Sequence, residues 1–332
     1  MKQISIRRAF LIIAVSIPAL IAGCYVPVAN TAERGPDPQE NAHETASENN
    51  MSTSDRSSSN DASKTGDGSD VEGSRNKGTG FRGNLEENLK RHGLNISDIV
   101  DEQNPVESRI LKEYGAVFLT SARPPSKVMF TSESGVSGFQ TDAGIARADL
   151  GGTALELQPP AMNALQAARK EASEQGIRIT PRDGEEAGRR SFEKTLELWN
   201  DRFYKACDHW KAKGKLSADQ VSRLKSLPIK QQVAEVLELE KSGIYFNTFF
   251  NNSILYSVAA PGTSQHLSML AFDANEYENV KLRRILSKHG WFRTVQNDAP
   301  HFTYLGYKED ELPGLGLRKV VRRDGEFWVP DL

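Results

Sequence analysis

Aromatic and β-branched apolar residues are almost missing from Val26 to about Arg82, and this sets the limit on what the chain can fold into. Stretches such as NAHETASENN (Asn41–Asn50) and STSDRSSSND (Ser52–Asp61) are polar, and Gly, Ser and Asp continue to Gly80. A segment of that composition cannot bury enough surface to offset its ordering entropy. Residues 24–82 therefore read as a flexible polar tether, in which His43 is a solvated residue. As a coil of about 57 residues it would have a mean reach of roughly 40 Å, letting an attached domain search space. The usable length for a core is thus well short of 332 residues.

The tether is preceded by a targeting pattern. Lys2, Arg7 and Arg8 give a positive start, and Ala9 to Ile21 is an apolar run interrupted by Ser16 and Pro18. That length suits a signal peptide and is short for a spanning helix. It ends in LIAGC (Leu20–Cys24), which resembles a bacterial lipobox; the alternative is an ordinary signal peptide that happens to hold a cysteine. The resemblance implies a signal peptide of residues 1–23, cleavage before Cys24 and lipidation of its thiol. The expected location is then the bacterial cell envelope, lipid-anchored on the extracytoplasmic or periplasmic side. Tyr25, rather than an aspartate, follows the cysteine, which favours an outer-membrane anchor if the host has one. The other cysteine, Cys207, has no CxxC partner, so a cysteine zinc site is not expected. A net charge of -2 argues against a nucleic-acid binder.

The remainder predicts an α+β fold, with helices in the first half packed on a small antiparallel sheet. Helices are expected from Glu86 to Gly93, from Leu157 to Gly176 (proline opening it, glycine closing it), from Ser191 to Lys213, near Ser217–Leu224 and Ile229–Lys241, and from Glu276 to His289. Strands are expected at Ala116–Thr120, Lys127–Thr131, Ile177–Thr180, Trp291–Val295, His301–Tyr307, Arg318–Val321 and Phe327–Val329. The stretch from Ser132 to Gly152 reads as loop.

Chemistry concentrates in two short segments, SQHLSMLAFD (Ser264–Asp273) and DAPHFTYLG (Asp298–Gly306). His266, Asp273 and His301 make two imidazoles and a carboxylate, a three-ligand set that leaves one position on a catalytic zinc open for water. Asp298, just before the last of them, could take a proton from that water. The step from His266 to Asp273 is close to two helical turns, which fits one face of a helix and not a straight strand. Val258-Ala-Ala-Pro-Gly262 ahead of the histidine argues instead for a bent strand pair.

The pattern SxHxxxxxxD, followed by an acidic residue two spacers before a histidine, resembles the zinc D-alanyl-D-alanine carboxypeptidases and dipeptidases of the vancomycin-resistance type, whose common forms are SEHxxGxAxD and ExWH. The resemblance implies Zn2+ held by His266, Asp273 and His301, with Asp298 as general base. Upstream, GRRSFEKT (Gly188–Thr195) resembles the family's YRSxxxQ segment. That match puts Arg190 where the family holds the substrate carboxylate, and Ser264 falls on a serine that contacts substrate. A guanidinium suits that task because its planar fork can make two parallel bonds to a carboxylate. The likeness covers roughly Leu157 to Gly306. This divides the chain into an N-terminal extension at 83–156 and a zinc D,D-peptidase-like domain at 157–332. Asp298 stands where the family has glutamate, Met269 where it has glycine, and Thr195 where it has glutamine.

The implied activity is hydrolysis of peptidoglycan stem peptides, most simply as a D,D-carboxypeptidase. An endopeptidase or L,D-peptidase on the same scaffold is one alternative. A non-catalytic peptidoglycan-binding lipoprotein that keeps the fold is another. Simpler roles also exist for single residues: a packed histidine at 266, a helix cap at Asp273, a turn residue at Asp298. Arg190 could be a surface charge, with Arg189 beside it taking the clamp role.

Overall fold

The computed structural model describes residues 80–332, so the leader, Cys24, His43 and nearly all of the tether lie outside the described residues. The fold is α+β. In chain order it runs α1 (Gly80–Arg91), α2 (Ile96–Ile99), α3 (Pro105–Tyr114), α4 (Glu133–Ala143), β1 (Ala146–Asp149), β2 (Ala154–Leu157), α5 (Pro159–Glu174), α6 (Phe192–Ala212), α7 (Ala218–Ser226), α8 (Ile229–Lys241), β3 (Ala271–Asp273), α9 (Val280–Lys288), β4 (Trp291–Phe292), β5 (His301–Tyr304), β6 (Leu317–Arg322) and β7 (Gly325–Pro330). All strand pairs are antiparallel: the hairpin β1–β2, a three-stranded sheet in the order β3-β5-β4, and the hairpin β6–β7. No described helix is long and apolar enough to cross a membrane.

The long helices follow from capping and spacing. Ser191 caps α6 by accepting from the Lys194 N–H (3.1 Å), and Ser217 with Gln220 makes a reciprocal capping box on α7. α6 buries Phe192, Thr195, Trp199, Phe203, Ala206 and Cys207 along one stripe. Trp199 and Phe203 stack there with Phe246, and each such side chain removed from water contributes about 1.5–3 kcal/mol. Cys207 is a free, buried thiol.

Several expectations are corrected. Ala116–Thr120 is not a strand; Gly115–Leu119 continues α3 as a 3-10 turn, all five residues buried, so no alternation was there to mark a face. Lys127–Thr131 forms no strand either, its bonds going singly to other segments: Val128 N–H to Ile99 O and Phe130 N–H to Gly262 O. Within the supposed loop 132–152 lie α4, capped by Ser132, and β1. Ile177–Thr180 adds only an isolated bridge between Pro181 and Ala274. The last helix starts at Val280, with Asn279 as its cap, rather than at Glu276. β4 and β5 are shorter than expected, ending at Phe292 and Tyr304. Helix α1 takes in Gly80, Phe81 and Arg82; the Phe81 side chain is buried, and its backbone passes so close to Gly316 that a Cβ there would clash with it. Residues on both sides of 157 share one core, with Leu85, Ile110 and Phe118 in the same cluster as Trp199, Phe272 and Trp291.

A second, smaller cluster matters for the site. Phe130, Val136, Phe139, Phe192 and Leu267 pack together, drawing α4 and the start of α6 against the turn that carries His266.

Candidate metal centre

β3 and β5 place Asp273 and His301 directly opposite one another in the sheet register. On one face of an antiparallel pair, such partners have Cβ atoms about 4.5–5.5 Å apart. His266 arrives from a 3-10 turn, Gln265–Ser268, rather than from the expected bent strand pair. The turn ends at Met269, which holds φ +57°, and this reverses the chain into β3. The left-handed region disfavours a residue with a Cβ, and a family-type glycine at 269 would occupy it freely. Here Met269 is fully buried, so the side chain's packing offsets the strain.

Three residues converge: His266 Nε2 to Asp273 Oδ2 is 3.2 Å, His266 Nε2 to His301 Nδ1 is 3.2 Å, and His301 Nδ1 to the other carboxylate oxygen, Asp273 Oδ1, is 3.1 Å. The outer nitrogens are both committed. His266 Nδ1 lies 2.8 Å from the Gly188 carbonyl oxygen, and His301 Nε2 lies 2.9 Å from Gln265 Oε1. Each of these partners is an acceptor, so each imidazole spends its proton outward. The Gln265 oxygen is itself assigned by its amide nitrogen, which donates to the Tyr114 carbonyl (3.0 Å) and to Thr294 Oγ1 (3.2 Å). Thr303 Oγ1 also donates to Gln265 Oε1.

Two bare imidazole lone pairs and a carboxylate therefore face one another inside a buried pocket. Without a cation that arrangement is electrostatically unfavourable. Ligands about 2.0–2.1 Å from a tetrahedral ion sit roughly 3.3 Å from each other, close to the three separations found. These residues are a group that could hold a metal ion, and their donor chemistry and spacing fit zinc.

Electrostatics agree with a neutral imidazole beside a carboxylate. Burial, then the Arg190 charge, pushes His266 down to about 4. Arg190 Nη2 donates to Asp273 Oδ2 (2.8 Å) and Nε to the Glu186 carbonyl (2.9 Å), leaving Nη1 without a partner among the described residues.

A cleft of about 230 Å³ opens over this group. Arg190, Ser264, His266, Asp298 and His301 all line it, and Tyr114, Leu255 and Val258 supply an apolar wall. The Ser264 hydroxyl makes no hydrogen bond within the described residues. Asp298 sits in the turn before β5, its carbonyl accepting from the His301 N–H (3.2 Å). Its side chain is open to solvent at the mouth of the cleft, yet the surrounding protein strips part of its hydration. That desolvation pushes its carboxyl up; His301 opposes the rise and Asp273 adds to it, while water at the side chain limits it by screening.

Arg189 points elsewhere, donating to Gln140 Oε1 and Glu156 Oε2 (2.7 Å each). Thr195, at the family's glutamine position, is structural: it donates to the Phe192 carbonyl and accepts from the Gly262 N–H. Sequence reasoning missed Gln265, Gly188 and Gln140. Gln265 had a signal, since it stands between Ser264 and His266 where the quoted form has an acidic acceptor. Gly188 and Gln140 both act on the backbone of the site: Gly188 lends its carbonyl to His266, and the Gln140 side chain donates through Nε2 to the Arg190 (2.9 Å) and Leu267 (3.1 Å) carbonyls. No sequence pattern marks such roles.

No protein-family model matches the chain, and no curated protein is similar to it. Among the solved structures similar to it are two vancomycin-resistance peptidase structures. One is a mutant of the vancomycin resistance D,D-pentapeptidase VanY from the VanB-type cassette in complex with Zn(II), 21% identical over 50% of this chain and 82% of that one, with a TM-score of 0.29. The other is VanYB in complex with D-alanine-D-alanine, 21% identical over 49% of this chain and 78% of that one, again with a TM-score of 0.29. A likeness at that level carries no weight for the chemistry, which rests on this chain's own residues.

Proposed function

We propose that the protein is a zinc-dependent peptidase of the bacterial cell envelope that trims peptidoglycan stem peptides as a D-alanyl-D-alanine carboxypeptidase. In this reading it is held at the membrane through a lipid on Cys24. The supporting observation is the outward commitment of both imidazole protons, which turns His266 Nε2, His301 Nδ1 and the Asp273 carboxylate into a cation slot. His266, Asp273 and His301 would hold the ion. When bound, zinc supplies a Lewis acid that polarises a carbonyl oxygen and brings the pKa of a coordinated water towards neutrality.

The chain's own groups do the rest. Asp298, at the cleft mouth, takes the proton of the attacking water on its carboxylate, and its raised pKa moves it towards the range where a base works well. It then returns that proton to the leaving amine. The free arm of Arg190 and the unpaired hydroxyl of Ser264 receive the substrate's terminal carboxylate. The Tyr114, Leu255 and Val258 wall takes the small side chain and keeps bulk water off.

Incubation of the purified protein with an acyl-D-Ala-D-Ala peptide tests this. D-alanine release is expected with zinc, and loss of release with chelator or in His266→Ala. Release that survives His266→Ala unchanged, or no release at any zinc concentration, overturns the proposal.

A further inference from the structure

The cleft does not stop at Asp298. Past Arg190 and Leu198 it runs into a second hollow walled by Arg182, Asp183, Glu186, Lys194, Asp273 and Pro300. Arg190, Leu198 and Asp298 line both hollows, whereas Ser264 lines only the first of these and Arg182 only the second.

The cations of this second hollow are not equivalent. Arg190 gives Nη2 to Asp273, and its free arm serves the terminal carboxylate. Lys194 Nζ is shared between Glu186 (3.2 Å) and Glu197 (3.3 Å). Arg182 is exposed and has no carboxylate within ion-pairing distance among the described residues. It is nonetheless well placed. Its guanidinium lies 5.7 Å from the centroid of the Tyr277 ring, its N–H donates to the Asp273 carbonyl (2.8 Å), and Pro181 before it bridges Ala274. An arginine tied by its backbone to a metal-ligand strand, with its fork over a ring, loses less freedom on gaining a bidentate partner. Its charge already acts on Asp298.

We propose that Arg182 is a specificity-determining residue that receives a carboxylate borne by the substrate on the side of the scissile bond away from Ser264. A peptide laid through both hollows places its terminal carboxylate at Ser264 and Arg190, its scissile bond beside Asp298, and an acidic side chain over Arg182. The inference rests on the peptidase reading and names the acidic peptide class that the same site prefers.

Two acyl peptides ending in D-Ala-D-Ala test it, one carrying a carboxylate side chain upstream of the cleaved bond and the other the matching amide. Their dissociation constants are measured on the full chain stripped of metal, so that no turnover interferes, and their hydrolysis is followed in parallel on the zinc-loaded protein. The acid is expected to bind about tenfold more tightly than the amide, about 1.4 kcal/mol, and the ratio is expected to shrink with added salt. Arg182→Gln is expected to bring the ratio to about 1, with Arg182→Lys in between, whereas Lys194→Gln leaves it standing. A ratio near 1 in the wild-type protein, a ratio unchanged in Arg182→Gln, or no binding of either peptide overturns the inference. If the Arg182-dependent preference is present but neither peptide is cleaved, the subsite stands and the catalytic reading falls.

Discussion

Gln265→Leu isolates what aims His301 at the metal position. Leucine fills similar volume but removes the oxygen that accepts from His301 Nε2 at 2.9 Å. Freed of that acceptor, the imidazole can move its proton to Nδ1 and donate to Asp273 Oδ1, which already lies 3.1 Å away. That form must be undone before a cation can bind. Loss of a group that orients a metal-ligating histidine costs about 10–100-fold in affinity, or about 1.4–2.7 kcal/mol. Stability falls as well, because the buried Tyr114 carbonyl loses the Gln265 amide, at about 1–3 kcal/mol. Gln265→Glu separates the two effects. It keeps an acceptor for His301 Nε2, so zinc affinity stays within about threefold of wild type, while its second oxygen confronts the Tyr114 carbonyl and lowers the melting temperature. Competition against a chromophoric zinc chelator, with thermal unfolding in chelator, reads both. Wild-type zinc affinity in Gln265→Leu, or equal affinity losses in the leucine and glutamate variants, would refute the reasoning.

Asp298→Asn should still bind zinc in the same competition assay but lose about 10²–10⁴ in kcat for D-alanine release, the usual contribution of a positioned base. Gly262→Ala should unfold the site or the protein in thermal melts, since its Cβ would lie 1.9 Å from the Phe130 carbonyl oxygen at φ +81°. Met269→Gly relieves a left-handed backbone worth about 1 kcal/mol but empties a fully buried position worth about 2–5 kcal/mol, so denaturant titration should show a net loss. Metal-free protein should weaken as pH falls from about 6.5 to about 4. The unfolded chain binds a proton at His266 that the fold excludes, so stability is full above the unfolded pKa and drops by up to about 3 kcal/mol through that window; a flat denaturation midpoint there would contradict it.

The three candidate ligands were legible because two imidazoles and a carboxylate stand at a recognisable spacing, and the structure brings them together. Helices α5 to α8 were legible for another reason: their apolar stripes and caps are local signals, as at Ser191 and Ser217. Helix α4 was not, because Gly135 and Gly138 dilute its pattern to Val136, Phe139 and Gln140 on the buried face. Gly115–Leu119 was misread because uniform burial erases periodicity. The shape of the turn at His266 depends on Met269 adopting φ +57°, which nothing in the chain's propensities announces. The residues that aim the ligands were hidden most thoroughly, since Gly188 and Tyr114 contribute only a peptide oxygen.

The candidate ligands all come from the C-terminal portion, while much of what steadies them comes from before residue 157. Tyr114 fixes the amide of Gln265, Gln140 ties down the Arg190 and Leu267 carbonyls, Glu156 receives Arg189, and Phe130 closes on Gly262. A fragment that starts at α5 would carry every liganding atom and none of these braces. The candidate centre is therefore not a transplantable cassette: shuffling it onto another scaffold, or trimming the front segment, would deliver the right letters with half of their supports gone.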